Sequence, residues 1–253
     1  MARDVVVGIE GEQRPIKHYI DGSRDALADY PNANLIVWPE LALDDVTETN
    51  AIGTRVGEFA RAHAVHVLVG GVRGTDPVDF ENALFLFAPD GRISATQVKS
   101  VPVQFFRDGR PARDRVPMRA GDMTLGAAIC YDMDFPYVTR ELVVGGASVL
   151  VYPTLDHRNW GRVQHLQHAS MAPLRAVEHR RWLVRVASSG GSRVIGPYGR
   201  VVAQTPAMGQ GTIAGAVEPR ADLTLYARFG YWLPHACLAF AAVTLVLCRR
   251  AVR

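Results

Sequence analysis

Three β-like runs in this chain end on side chains able to do chemistry. LIVWP runs into Glu40, RISATQV into Lys99 and MTLGAAI into Cys130. The third is the most informative. GAAICYDMDFP, residues 126–136, breaks at a cysteine from an apolar run into polar residues. A cysteine inside such a run is usually a small core hydrophobe, but one at the strand's last position, facing a turn, can be a nucleophile. In open α/β sheets the crevice outside the carboxyl ends of the strands is where ligands bind. A carboxylate, an ammonium and a thiol placed there can meet in one pocket. The thiol needs a nearby base or cation to become a thiolate. Glu40 can take its proton and deliver it to a leaving group. Lys99 can hold the thiolate and then an oxyanion, together with a backbone N–H following Cys130, which points to Tyr131. Such a trio implies acyl transfer through a thioester. No histidine is adjacent in sequence, but His157, His165, His168 and His179 are available for a Cys–His pair in space.

The elements that must position these residues read as alternating strands and helices. Strand-like runs cover 5–10, 35–40, 66–71, 83–89, 92–98, 123–130, 148–154, 182–188, 192–197 and 212–217. Several are continuously apolar, as strands covered on both faces are. Residues 14–29, 49–64, 136–145 and 160–181 carry apolar residues at helical spacing. FAPDGRI and IGPYGRVV read as hairpins. The pattern predicts a layered α/β or α+β domain over residues 1–219.

The 253 residues are 48% hydrophobic, enough for a sizeable core, and 23 Gly with 15 Pro fit a turn-rich, strand-rich fold. The net charge of +3 is mild and scattered, so nothing points to nucleic acid. Cys237 and Cys248 lie in an apolar tail, leaving Cys130 without an obvious disulfide partner, and no Cys-x-x-Cys motif occurs. HLQH, residues 165–168, supplies an i, i+3 pair without a third ligand, so neither metal nor cofactor is expected. The start, MARDVVVGIEGEQ, lacks the apolar stretch of a signal peptide. GYWLPHACLAFAAVTLVLC, residues 230–248, reads instead as a transmembrane helix, reached through a connector at 220–229 and followed by a basic tail at 249–253. The tail's arginines favour a cytoplasmic C-terminus. A buried terminal helix is the alternative. The arginines of EHRRWLVR read as a solvated helix end, and Trp160 and His157 in TLDHRNWGRVQH as a pocket mouth.

The order Glu, Lys, Cys, with NLIVWPE and GAAICYDMDFPYVTRELVVGGASVLVYPT around its ends, resembles the carbon–nitrogen hydrolase (nitrilase) superfamily. Within it, the segments from Gln164 to Pro206 and ADLTLYARFGYW, running into the apolar tail, resemble the apolipoprotein N-acyltransferase family. The resemblance implies a four-layer αββα sandwich with Glu40 as base, Lys99 as oxyanion support and Cys130 as nucleophile. It also implies a second Glu several residues after the lysine. KSVPVQFFRDGRPARDR has none, and Asp108, then Asp114, are the nearest carboxylates. Asp132 stands where the acyltransferases carry Glu.

The function so implied moves an acyl chain from a phospholipid to the N-terminal amine of a lipoprotein. The alternatives are an amidase acting on a small C–N substrate and a non-catalytic subunit of a split acyltransferase. Those acyltransferases carry further membrane helices before this domain, so a polytopic partner chain is one expectation. A homodimer is another, from the wider superfamily. The location implied is the inner membrane, with the domain on its periplasmic side.

Overall fold

The computed structural model describes residues 4–251 apart from 77 and 210. The ends of the first domain and of the basic tail, at 1–3 and 252–253, lie outside the described residues. One sheet contains β1 (Asp4–Ile9), β2 (Ala33–Val37), β3 (His66–Arg73), β4 (Glu81–Phe87), β5 (Ile93–Val98) and, returning from the far end of the chain, β12 (Thr212–Val217). The other contains β6 (Met118–Ala120), β7 (Met123–Ala127), β8 (Val149–Thr154), β9 (Trp182–Ala187), β10 (Arg193–Ile195) and β11 (Val201–Gln204). Their orders are β12-β1-β2-β3-β4-β5 and β11-β10-β9-β8-β7-β6. Each has three parallel central strands, β1–β3 in one and β7–β9 in the other, flanked by antiparallel ones.

Side-chain alternation along these strands makes four layers. Leu35 and Val37 of β2 pack between the sheets with Leu125, Ala127, Val149 and Val184. Ile36 points the other way, with Val7, Val67 and Phe85, onto Tyr19 and Ile20 of α1 (Ile16–Asp29) and Val56 and Phe59 of α2 (Ala51–His63). Behind the second sheet, Leu150 and Leu183 pack on Val138 and Leu142 of α3 (Pro136–Val144). Each fully buried side chain of this size contributes roughly 1.5–3 kcal/mol. The continuously apolar runs are therefore strands covered on both faces, and the arrangement is the expected αββα sandwich.

The helical segment expected at 160–181 is two helices, α4 (Gly161–Ala169) and α5 (Met171–His179). Pro173 is the reason. It has no N–H for the Ala169 carbonyl, and Arg193 Nη1 donates to that oxygen instead at 2.8 Å. β6, which lacks a long apolar run, pairs with β7 through the tight turn at Gly121, where φ is 61°. The arginines of EHRRWLVR are not solvated as a group. Arg181 and Arg185 are buried, Arg181 donating to the carbonyls of Ala147, His179 and Asp222.

Past the sandwich, α6 (Leu225–Phe229) is capped by Thr224, whose hydroxyl accepts from the Ala227 N–H at 3.0 Å. Helix α7 (Trp232–Ala251) follows. Its window Trp232–Arg249 has a mean hydropathy of 1.5 and no part buried against the protein. It is thus one candidate membrane span, not the buried terminal helix that was the alternative.

Candidate active site

β2 stops at Val37, because Pro39 has no N–H to extend the ladder. The chain turns there, with Leu41 at φ 51°, and the Glu40 side chain goes inward. Gly70 of β3 makes room for this turn. A Cβ on it would lie 2.1 Å from the Pro39 carbonyl oxygen and 2.6 Å from Glu40 Cα. Lys99 directly follows β5, as expected. Cys130 does not end its strand. β7 stops at Ala127, and Cys130 opens a 3-10 turn, Cys130–Asp134, at φ 47°. That left-handed backbone is uncommon for a residue with a Cβ and turns the thiol away from the ladder.

The three side chains meet. Glu40, Lys99 and Cys130 are 2%, 1% and 4% exposed, so their charges interact with little screening by water. Lys99 Nζ lies 2.7 Å from Glu40 Oε1 and 2.6 Å from Asp108 Oδ2. Asn82 Nδ2 donates to Glu40 Oε1 at 2.7 Å and to Asp108 Oδ1 at 2.8 Å, closing a ring of four side chains. Glu40 Oε2 accepts from the Leu155 N–H at 2.7 Å, and Asp108 Oδ2 from the Val103 N–H at 2.8 Å. Cys130 Sγ lies 3.8 Å from the Leu155 carbonyl oxygen.

Asp108 therefore occupies the place beside Lys99 for which the sequence offered no glutamate. Asp114 contributes only its backbone carbonyl, to Gln97 Nε2 at 2.9 Å. Asp132 ties the site together from behind. Its carboxylate accepts from the N–H groups of Val101 at 2.7 Å, Ser100 at 3.1 Å and Ile129 at 3.1 Å, linking the segment after Lys99 to the cysteine turn.

Burial pushes the Cys130 thiol well above the ordinary thiol range, and Glu40 adds to this while Lys99 opposes it. The resting thiol is thus neutral and in need of a base. Burial alone would lower the Lys99 ammonium, but the Glu40 and Asp108 carboxylates beside it outweigh this and hold the group charged. An ammonium has three N–H donors. Two face Glu40 and Asp108, which leaves one for an oxygen arriving at Cys130. Burial raises Asp132 to about 6 against the backbone donors that pull it down.

A cavity of about 110 Å³ opens on Glu40, Lys99, Asp108, Cys130, His157 and Trp160. His157 Nδ1 is 2.8 Å from Glu12 Oε1, and its ring packs edge-on against Trp160. A second cavity of about 750 Å³ shares Cys130, Val103, Phe106 and Trp160 with the first and takes in Tyr131, Asp134 and His168. Sequence reasoning missed Asn82 and Leu155. The only signal for Asn82 was a lone amide in the apolar run ENALFLF, and a backbone donor such as Leu155 leaves none. It also missed a buried ion pair between Asp156 and Arg185, for which an arginine inside the apolar run WLVRVAS was the clue. Among the described residues, no group of acidic, His and Cys side chains could hold a metal ion.

Two six-stranded sheets packed face to face between helices, with a thiol, an ammonium and carboxylates gathered beyond the strand ends, form the architecture of the nitrilase superfamily. The chain belongs to the carbon-nitrogen hydrolase family, whose sequence pattern matches residues 15–225. It is 27% identical to an apolipoprotein N-acyltransferase of Pseudomonas paraeruginosa, over 94% of this chain and 51% of that protein. It is 33% identical to that of Pseudomonas aeruginosa over 60% of this chain and 29% of that protein. The chain thus spans about half the length, or less, of these relatives. Among solved structures, an amidase from Nesterenkonia superposes with a TM-score of 0.73 at 21% identity, covering 93% of this chain and 96% of the amidase. A carbon-nitrogen hydrolase from Helicobacter pylori gives 0.71 at 18% identity, covering 85% of this chain and 88% of that one.

Proposed function

We propose that this chain transfers an acyl group through a thioester on Cys130, from a phospholipid to the N-terminal amine of a lipoprotein. Glu40 takes the thiol proton as Sγ attacks the ester carbonyl. The oxyanion is held by the remaining Lys99 N–H and by the Tyr131 N–H in the first turn after the cysteine. Asp108 and Asn82 fix the positions of Lys99 and Glu40. As the intermediate collapses, Glu40 gives its proton to the leaving glycerol oxygen. An amine then attacks the thioester, an amide forms, and the thiol is restored.

The observation that carries this reading is the place of Cys130 on the wall shared by two cavities. The larger cavity gives a thioester on Cys130 room to receive a bulky amine beside the sulfur, whereas water as acceptor needs no such space. Helix α7 supports the lipid side, since it would hold the domain at a bilayer surface. With the tail arginines on the cytoplasmic side, the domain would lie on the outer face of the inner membrane.

A second reading is an amidase acting on a small amide, and the 110 Å³ size of the first cavity favours it. The pairing of Lys99 with Asp108 supports catalysis over a silent docking subunit. The test is intact-mass spectrometry of the detergent-purified protein after incubation with phospholipid vesicles, beside Cys130→Ala. An adduct of fatty-acyl mass, labile to hydroxylamine and absent from the alanine variant, is expected. Hydrolysis of small amides with no such adduct would move the function to the amidase.

A further inference from the structure

Helix α6 is little more than one turn long and is fixed at both ends. At its start, Thr224 Oγ1 donates to the Glu178 carbonyl of α5 at 2.6 Å. At its end, Arg140 Nη2 of α3 donates to the Arg228 carbonyl at 3.0 Å. Gly230, at φ 62°, then turns the chain toward α7, and a Cβ there would lie 3.2 Å from Arg140 Nε. The inner side of α6 is packed. Ala227 is fully buried, and the Tyr226 ring meets those of His179 and Tyr231 edge-on at 5.5 and 5.9 Å. The outer side is apolar as well. Leu225 and Phe229, four residues apart and so on one face, are 67% and 63% exposed. A helix face turned to water normally carries polar side chains.

Chain connectivity decides what covers this face. The apolar window of α7, Trp232–Arg249, has 18 residues. That is about 27 Å of helix, against a hydrocarbon core of about 30 Å. A helix of this length spans only with Trp232 at the membrane interface. Gly230 and Tyr231 alone separate Phe229 from Trp232, so their Cα atoms lie at most about 11 Å apart. An interfacial helix sinks its apolar face about 5–10 Å into the boundary between headgroups and acyl chains. We propose that α6 is a second membrane contact, with Leu225 and Phe229 seated at that boundary and the exposed Arg228 reaching back to the lipid phosphates. This rests on α7 spanning the bilayer, as in the reading above. Two side chains do not hold a domain on a membrane by themselves, and α7 does that. A lone span, however, leaves its domain free to swing. The α6 contact removes that freedom, because α6 is clamped to α3 and α5. Helix α3 begins at Pro136, just past the Cys130–Asp134 turn. The height of the nucleophile above the lipid is therefore set through one helix.

The test is spin labelling of the full-length protein in phosphatidylethanolamine–phosphatidylglycerol vesicles. A Cys237→Ser, Cys248→Ser background supplies the blank, and single cysteines are added at exposed positions. These are Leu225→Cys, Phe229→Cys, Phe240→Cys within α7, and Tyr30→Cys at the end of α1, in the opposite outer layer. Collisions of each label with oxygen, which concentrates in lipid, are compared with those of a water-soluble nickel chelate. The Leu225 and Phe229 labels should give an oxygen-to-nickel ratio at least threefold above that of the Tyr30 label. A ratio equal to that at Tyr30, with the Phe240 label in lipid, would overturn the α6 contact but not the span. A Phe240 label as wet as the Tyr30 label would overturn both. Protection of the Leu225 and Phe229 labels from both reagents, with dipolar broadening, would put a second copy of this chain on α6 and overturn the lipid contact. A reporter at Val144→Cys, one turn along α3 from Arg140 and half-exposed, then reads the tilt. Adding Leu225→Asp and Phe229→Asp should change its ratio at least threefold while the protein still floats with the vesicles. An unchanged ratio would show that α7 alone sets the tilt and would overturn the proposal.

Discussion

Asp132, two residues after Cys130, accepts hydrogen bonds from the backbone N–H groups of Ser100 and Val101, the two residues after Lys99. One carboxylate thereby fixes the spacing between the segment carrying the ammonium and the turn carrying the thiol. Backbone bonds to a charged acceptor contribute about 1.5–3 kcal/mol. An amide cannot accept at both atoms, so Asp132→Asn is expected to slow thioester formation at least tenfold, measured by intact mass. Its pH signature has a defined sign. The folded pKa is raised to about 6 from an ordinary 3.8, so the folded protein holds this proton more tightly than the unfolded chain. The contribution is fully present below about 3.8 and is lost as pH rises through about 6. The unfolding free energy of wild type minus that of Asp132→Asn should therefore grow by on the order of 2–3 kcal/mol from pH 7 to pH 4 in urea titrations.

Alkylation and turnover should respond oppositely to Glu40. Its charge raises the Cys130 thiol, so Glu40→Gln lowers that pKa and increases the thiolate present at pH 8. Iodoacetamide should then label Cys130 faster in the variant. Acyl transfer, deprived of its base, should fall by about 10²–10⁴. In the wild type, the labelling rate should climb without a plateau through pH 9, because the thiol lies well above the ordinary thiol range. A plateau near pH 7 would show a preformed thiolate and remove the need for Glu40 as base.

Gly70→Ala tests how Glu40 is placed. The new methyl would sit 2.1 Å from the Pro39 carbonyl oxygen, which is rigid backbone and must move. Overpacking of this kind costs about 1–3 kcal/mol. Activity should fall at least tenfold while the far-ultraviolet circular dichroism stays as in the wild type. Full activity would mean that the turn at Glu40 tolerates displacement.

Asp108 and Asn82 should act through Lys99 and Glu40. Asp108→Asn leaves the buried ammonium with one carboxylate, and breaking such a pair costs about 3–5 kcal/mol. Asn82→Ala removes a donor from both carboxylates at once. Each is expected to lower kcat with little change in KM, and the double variant should lose less than the sum of the two. Additive losses would mean that the two residues work separately.

Deleting residues 232–253 tests the tail. None of the Trp232–Arg249 window is buried against the sandwich, so its loss should change stability by no more than about 0.5 kcal/mol. The shortened protein should leave the membrane fraction in a flotation assay and still unfold within about 2 °C of the full chain. Continued flotation would place the lipid contact elsewhere.

How much of this was legible in the sequence follows from the range of the interactions. Strand alternation, helix periodicity and an apolar tail are local patterns, so the layers and α7 could be read directly. The three reactive side chains were legible too, because each stands where a local pattern stops. Local patterns also misled. Pro173 breaks what reads as one helix, and the cysteine sits past its strand in a left-handed turn that only the tertiary contacts sustain. Arg181 and Arg185 read as solvated until their carbonyl and carboxylate partners, brought from distant segments, made burial affordable.

The sequence by itself determined which residue types would reach the site, since a strand's end and the turn after it are fixed within a few positions. The tertiary structure alone decided which of them touch. Asn82 meets Glu40 and Asp108 across three segments, Asp132 bridges two sheets, and His168 is oriented by Asp156 and Arg185. Hydrogen bonds are short and directional, so the partners exist only once the two sheets have packed, and no spacing along the chain encodes that distance.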